Sequence, residues 1–130
     1  MASTVRRIEV TGRAPAAVAW ERYADLDAWP GWAPQIRSVT ADGPRLGVGR
    51  AGTVHVVGGL PVPFVVTAVD DERRTWSWIA RLGPVALTLH HDLTQTPDGT
   101  VAGLTLEGPG LVVATYGPLT RVPLARLLRP

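Results

Sequence analysis

Six short apolar runs follow one another between residues 36 and 107, and they favour an antiparallel sheet over other folds. Each run is rich in β-branched residues and has the length of an ordinary strand. The runs are IRSVTAD (36–42), TVHVV (53–57), VPFVVTAV (62–69), RTWSWIAR (74–81), VALTLHHDLTQ (85–95) and TVAGLTLE (100–107). They are separated by the turn signals Gly43-Pro44, Gly58-Gly59, Asp70-Asp71, Gly83-Pro84 and Pro97-Asp98-Gly99. Strands joined by such short turns predict an antiparallel meander.

The segment before the meander predicts one more strand and two helical pieces. TVRRIEVT (4–11) is typical of a first strand, and APAAVAWERYADL (14–26) is typical of a helix with Pro15 in its first turn. A second short helix or turn carries Trp29 and Trp32, and the prolines at 30 and 34 keep it short. In the first helix, the apolar residues at roughly helical spacing are Val18, Trp20, Tyr23 and Leu26.

The last twenty residues, LVVATYGPLTRVPLARLLRP, have helical content with interruptions. Gly117, Pro118 and Pro123 should break or kink this helix. The apolar residues expected near one face are Leu119, Val122, Leu127 and Leu128. The order of elements predicts a single α+β domain over residues 1–130, in which this helix covers the concave face of a curved sheet.

Composition excludes several classes of function. All 13 basic residues are Arg, which excludes a Schiff-base or phosphate-loop Lys, and the absence of Cys excludes disulfides and thiolate chemistry. The net charge is +2 and the Arg residues are scattered, so we expect no nucleic-acid partner. MASTVRRIEV lacks an apolar signal core and no window reaches membrane-span length, which favours a cytoplasmic protein. The Arg-rich, Lys-free composition indicates a GC-rich bacterial genome.

The remaining motifs give no clear cofactor or metal site. Gly47, Gly49 and Gly52 form a literal G-x-G-x-x-G, but a β-branched run follows where the dinucleotide motif needs a helix. His90 and His91 are adjacent on a strand, so they face opposite sides and cannot share one metal; His91 shares the inward parity of Leu87 and Leu89. No Ser lies in G-x-S-x-G. We therefore expect no metal and no cofactor.

Trp76 and Trp78, in TWSWIAR, are the most informative pair of side chains. A spacing of two in a strand sends both indoles to one face. Such a pair fits an ordinary core, and it equally fits the wall of a ligand pocket. Further side chains that combine an apolar ring with a polar group would come from Trp32, His91 and Tyr116, and this favours the pocket.

Three segments together resemble the SRPBCC superfamily, the START-related helix-grip fold that includes polyketide cyclases and lipid carriers. They are VAWERYADLDAWPGWAP, TWSWIARLG, and the H-x-L-x-x-x-P-x-G-T run from His91 to Thr100, followed by the closing helix. The resemblance implies a seven-stranded curved antiparallel sheet with two short N-terminal helices and a C-terminal helix over an apolar cavity. The segment with Trp29 and Trp32 would plug or rim one end of it. Trp76, Trp78 and Arg81 are similar to the pocket lining of the aromatic-polyketide cyclases.

Three functional hypotheses follow. The first is binding of a hydrophobic or aromatic small molecule that is polyketide-, lipid- or isoprenoid-like. The second is a cyclase or dehydratase with His91, Tyr116 or Arg81 as weak catalytic candidates, and the third is a protein-interaction module. An exposed apolar face left by a broken closing helix would favour a homodimer. The predicted ligand-binding residues are Trp32, Trp76, Trp78, Arg81, Leu87, Leu89, His91 and Tyr116.

Overall fold

Seven antiparallel strands form one curved sheet in the computed structural model, which describes residues 3–130. Their order across the sheet is β1-β7-β6-β5-β4-β3-β2, so the last six strands are the predicted meander and the first strand pairs with the last. The strands are β1 (Ser3–Gly12), β2 (Ile36–Ala41), β3 (Ala51–Val56), β4 (Leu60–Asp70), β5 (Thr75–Leu82), β6 (Val85–Thr96) and β7 (Gly99–Pro109). The predicted fold class is confirmed.

The turns have the chemistry that their residues predict. Gly58 and Gly59 connect β3 to β4 with φ of 97° and 91°, a left-handed backbone that glycine adopts without strain and that suits a tight hairpin. Gly47 and Gly49 lie in the connection between β2 and β3, and Gly52 lies on β3 itself. The G-x-G-x-x-G motif is therefore a strand connection, as the sequence indicates.

Helix α1 (Ala16–Ala24) buries only part of the apolar set found at helical spacing, since Tyr23 and the following Leu26 are buried but Val18 is not. Ala16, Ala19 and Tyr23 are fully buried, whereas Val18 is 41% exposed and Trp20 is half-buried. The expectation for Val18 was wrong because small Ala side chains let the helix approach the sheet closely. Ala16 N donates to the Gln95 side chain of β6 at 2.8 Å, which fixes that approach.

The closing segment is two helices, α3 (Gly110–Leu119) and α4 (Arg121–Leu127), with a break at Thr120. A proline ring clashes with the carbonyl four residues earlier, and for Pro123 that carbonyl belongs to Leu119, where α3 ends. The predicted interruption is confirmed at Pro123, whereas Gly117 and Pro118 lie inside α3 and do not end it. The predicted inner face is wrong in part, because Leu119 and Val122 are 61% and 55% exposed. The residues that turn inward are Val113, Gly117, Thr120, Pro123, Leu124, Leu127 and Leu128.

The helices are short. The longest, α3, has 10 residues. Between residues 3 and 130, no helix has the length and apolar character needed to cross a bilayer.

Candidate functional site

A cavity of about 280 Å³ lies between the sheet and the helices. Its wall is apolar and aromatic, with a few polar tips. Strands β2 to β7, the α2 segment (Trp29–Trp32) and the closing helices α3 and α4 all contribute to it. The lining residues are Trp29, Trp32, Ala33, Gln35, Ile36, Val54, Val56, Leu60, Val62, Trp76, Trp78, Ala80, Leu82, Leu87, Leu89, His91, Leu104, Tyr116, Thr120, Pro123 and Leu124.

The two tryptophans of the WPGW bend are fixed by the end of helix α1. A helix leaves its last carbonyls without intrahelical partners. Trp29 Nε1 donates to the carbonyl of Tyr23 at 2.9 Å, and Trp32 Nε1 donates to the carbonyl of Arg22 at 3.1 Å. Each indole thus satisfies a helix-end carbonyl while its ring stays on the cavity wall.

Trp29 is the centre of an aromatic cluster that joins the bend to the sheet. Its ring centroid lies 5.6 Å from that of Trp76 and 5.4 Å from that of Trp78. Trp76 and Trp78 are stacked at 5.7 Å, and Phe64 packs edge-on against Trp78 at 5.6 Å. Rings at these separations and tilts attract one another beyond their burial, which stabilises this wall.

His91 lies within the cluster and both of its ring nitrogens are engaged. Trp78 Nε1 donates to His91 Nε2 at 2.9 Å. An indole N–H is a donor only, so Nε2 carries the lone pair and the ring proton lies on Nδ1. Nδ1 then donates to the Tyr23 hydroxyl at 3.2 Å. The ring also stacks on Trp76 with centroids 4.3 Å apart.

Burial lowers the pKa of His91 to about 3 from an ordinary value of 6.5, so the ring is neutral at physiological pH. A base with so low a pKa and an occupied lone pair is a poor proton acceptor at neutral pH. His91 is therefore a structural hydrogen-bonding group of the wall.

Gln35 and Tyr116 form the other polar contact of the cavity wall. Gln35, in the loop before β2, donates from Nε2 to the hydroxyl of Tyr116 on α3 at 3.5 Å. The Gln35 carbonyl accepts from Val57 N at 2.9 Å, which holds the loop beside the β3–β4 hairpin. Burial raises the pKa of Tyr116, so its hydroxyl stays protonated and can donate a hydrogen bond.

The mouth of the cavity lies beside this contact. Leu60, at the start of β4, is 54% exposed although it lines the cavity. Gln35, Val56, Leu82 and Tyr116 are half-buried lining residues, whereas Trp76, Leu87 and Leu89 are buried. The opening therefore lies between the β3–β4 hairpin, the loop of Gln35 and helix α3.

All of the predicted binding residues except Arg81 line this cavity. Arg81 is exposed, while its strand neighbours Ala80 and Leu82 line the cavity. Because successive strand residues alternate between faces, Arg81 lies on the outer face with Ser77. The prediction of Arg81 as a pocket-lining residue was therefore wrong.

The other two histidines lie outside the cavity. His90 bonds Ser77 at 2.7 Å through Nδ1 on the outer face, and His55 bonds Thr40 at 3.0 Å through Nε2. The opposite orientations predicted for His90 and His91 are confirmed. Within residues 3–130, no group of three or more His, Cys, Asp or Glu side chains is placed to hold a metal ion.

Sequence reasoning missed Gln35 and did not name Trp29 or Tyr23 among the site residues. The spacing of Trp29 and Trp32 in a short helix was a usable signal for Trp29. Nothing local marks Gln35, because its partner Tyr116 is distant in the chain.

Comparison with family models decides the relationship. The model described as "Polyketide cyclase / dehydrase and lipid transport" matches residues 1–129. The chain belongs to this family. The resemblance to the SRPBCC superfamily is thus confirmed, and the match covers nearly the whole chain. Comparison with curated protein sequences gives no match.

Solved structures show the same helix-grip fold. Ara h 8.0201 is 15% identical with a TM-score of 0.79, and the match covers 96% of this chain and 95% of that one. Protein MLL2253 from Mesorhizobium loti is 16% identical with a TM-score of 0.80, covering 95% and 93%. Norcoclaurine synthase from Thalictrum flavum is 21% identical with a TM-score of 0.72, covering 96% and 84%. At these identities the likeness concerns the fold alone.

Proposed function

We propose that this family member binds a hydrophobic or aromatic small molecule, polyketide-, lipid- or isoprenoid-like, inside the cavity. The observation that carries the proposal is an apolar wall in which Trp76 and Trp78 are stacked next to a cavity of about 280 Å³. A family that combines cyclases, dehydrases and lipid transporters supports it. A cytoplasmic location remains a prediction from the sequence.

The size of the cavity supports a compact ligand. An apolar cavity of roughly 150 Å³ is enough to bind benzene, and ordinary ligand pockets begin near about 300 Å³. A molecule with two or three rings, or a short chain, therefore fits better than a long extended lipid. Burial against such walls is consistent with micromolar affinity, on the order of −8 kcal/mol.

The test is removal of the stacked pair. We expect Trp76→Ala with Trp78→Ala to weaken binding of naphthol at least roughly tenfold by isothermal titration calorimetry, because two large apolar contacts are lost. Trp20→Ala is the matched control: Trp20 lies on α1 outside the cavity lining and bonds Asp71. Unchanged affinity in a double variant that circular dichroism shows to be folded would contradict the proposal.

An enzymatic role is the second candidate, favoured by the cyclase and dehydrase description of the family. The protonated hydroxyl of Tyr116 at the cavity wall is the group best suited to donate a proton or a hydrogen bond there. His91 is poorly suited to act as a base, because burial lowers its pKa and its lone pair accepts from Trp78. In a turnover assay, we expect Tyr116→Phe to lower kcat, whereas His91→Gln should mainly lower the free energy of unfolding.

An interaction role is the third candidate, and it rests on the outer surface of the closing helices. Leu111, Leu119 and Val122 are 82%, 61% and 55% exposed. Exposed apolar side chains on one pair of helices favour self-association or a partner. Sedimentation velocity over a range of concentrations tests for the homodimer, and a monomer at all concentrations would contradict it.

A further inference from the structure

Most hydrogen-bonding groups of the cavity wall are already paired within the protein. The indole N–H groups of Trp29, Trp32 and Trp78 donate to Tyr23, Arg22 and His91 respectively. Thr120 Oγ1 donates to the carbonyl of Gly117 at 2.6 Å. The indole nitrogen of Trp76 has no partner in the described part of the chain, and it is buried from the cavity space.

The pair Gln35–Tyr116 is the place where hydrogen-bonding capacity remains. If Gln35 donates to the Tyr116 hydroxyl, the hydroxyl hydrogen and the Gln35 side-chain oxygen are both free. If the amide is rotated by half a turn, the Tyr116 hydroxyl donates to the Gln35 side-chain oxygen. The Gln35 N–H groups and the lone pairs of the Tyr116 oxygen are then free. Their separation of 3.5 Å is long for a hydrogen bond, so a third group can replace this contact at little cost.

The wall has no charge with which to pair a charged ligand. Among residues 3–130, those that line the cavity include no Asp, Glu or Arg, and the chain contains no Lys. An ionised group taken out of water without a partner is costly. Burial raises the pKa of Tyr116 despite its hydrogen bond with Gln35, which is the same cost of placing a negative charge in this wall.

We propose that the ligand carries an uncharged hydroxyl, phenol, enol or carboxamide group, which docks on Gln35 and Tyr116 while its apolar body lies against Trp76 and Trp78. Such a group both donates and accepts, and it matches the combination of donor and acceptor that the pair offers. A ligand with the same apolar body but a carboxylate in place of that group binds more weakly. This inference rests on the proposed function, since it specifies the ligand of the same cavity.

The experiment compares two ligands that share a naphthalene ring by isothermal titration calorimetry at neutral pH. Naphthol is neutral there, and naphthoate substituted at the same ring position is ionised. We expect naphthol to bind at least roughly tenfold tighter, from the cost of burying an unpaired charge. Equal affinities, or tighter naphthoate, would overturn this inference and leave the proposed function intact. If neither ligand binds, the proposed function fails together with the inference.

Two variants test the docking group itself. Tyr116→Phe removes one hydroxyl. We expect it to weaken the binding of naphthol by about fivefold, the effect of one hydrogen bond, and to change the affinity for naphthoate little. Ser77→Ala, which removes a hydroxyl from the outer face of β5, should change neither affinity. Gln35→Arg places a cation at the half-exposed mouth and should bring naphthoate to at least the affinity of naphthol. If Tyr116→Phe and Gln35→Arg both leave the ratio of the two affinities unchanged, the polar group docks elsewhere and the inference is wrong.

Discussion

The buried neutral state of His91 makes stability depend on pH, and replacing it with Gln should remove that dependence. Gln offers an N–H and a carbonyl but does not titrate. The unfolded ring has the ordinary pKa of 6.5, whereas burial holds the native pKa at about 3. Between these values the unfolded chain binds a proton that the native protein excludes, so protons favour unfolding.

The magnitude follows from proton linkage. Stability rises with pH where the unfolded state binds more protons, by about 1.4 kcal/mol per pH unit for one proton. The contribution of His91 is therefore fully present above pH 6.5 and is lost as the pH falls toward about 3. Between about pH 7.5 and about pH 5, the wild type should lose about 2 kcal/mol from this residue alone.

Urea denaturation followed by circular dichroism at the two pH values measures this loss. We expect the free energy of unfolding of His91→Gln to fall by about 2 kcal/mol less than that of the wild type over the interval. The variant starts from a lower stability because its stacking on Trp76 is lost. His90→Gln is the matched control, because His90 lies on the exposed outer face, and it should behave like the wild type.

Proton titration of the wild-type histidine rings by NMR tests the same reasoning without a variant. We expect the His91 ring to show no midpoint between about pH 5 and about pH 8, because its hydrogen bonds and burial favour the neutral form. A midpoint for His91 near its ordinary value, or equal pH dependence in the wild type and His91→Gln, would refute the reasoning.

Three further outcomes are expected. Trp29→Phe keeps a ring in the cluster but leaves the Tyr23 carbonyl without its indole donor. Urea denaturation should therefore show a free energy of unfolding lower by about 1–3 kcal/mol. An unchanged value would show that this hydrogen bond does not stabilise the fold. Arg81→Ala changes an exposed outer-face residue, so titration calorimetry should give the wild-type affinity for naphthol, and a large loss would restore Arg81 to the site. Gly58→Ala places a side chain at φ 97° and should lower the free energy of unfolding by about 1 kcal/mol or more, whereas an unchanged value would contradict the strained turn.

The strands were predictable because their signals are local. The run at 74–81 corresponds to Thr75–Leu82, and the run at 85–95 to Val85–Thr96. Turn residues mark the ends, and alternation gives the face of each side chain, including His91. The error over Arg81 was avoidable, because it shares the parity of Ser77 rather than that of Trp76 and Trp78.

The helical faces were less predictable because burial there depends on partners elsewhere in the chain. In α1, Ala16 and Ala19 are buried by a close approach to the sheet that hydropathy does not encode, and Val18 is left outside. In the closing segment, the break between α3 and α4 turns Leu119 and Val122 outward. A single helical wheel cannot represent two helices.

The polar details of the cavity were not available from sequence. The proton position on His91 is decided by Trp78 and Tyr23, which come from two other elements. The contact between Gln35 and Tyr116 joins a loop and a helix separated by 81 positions in the chain. Such contacts follow from the assembled fold rather than from spacing.

Native mass spectrometry of the protein purified from its own host tests the central claim most directly, with the released small molecule identified after denaturation. We expect one uncharged hydrophobic or aromatic compound per chain, bearing a hydroxyl, phenol, enol or carboxamide group. A protein that carries no small molecule and runs as a dimer would contradict the account, and the tryptophans would then be core residues of an interaction module.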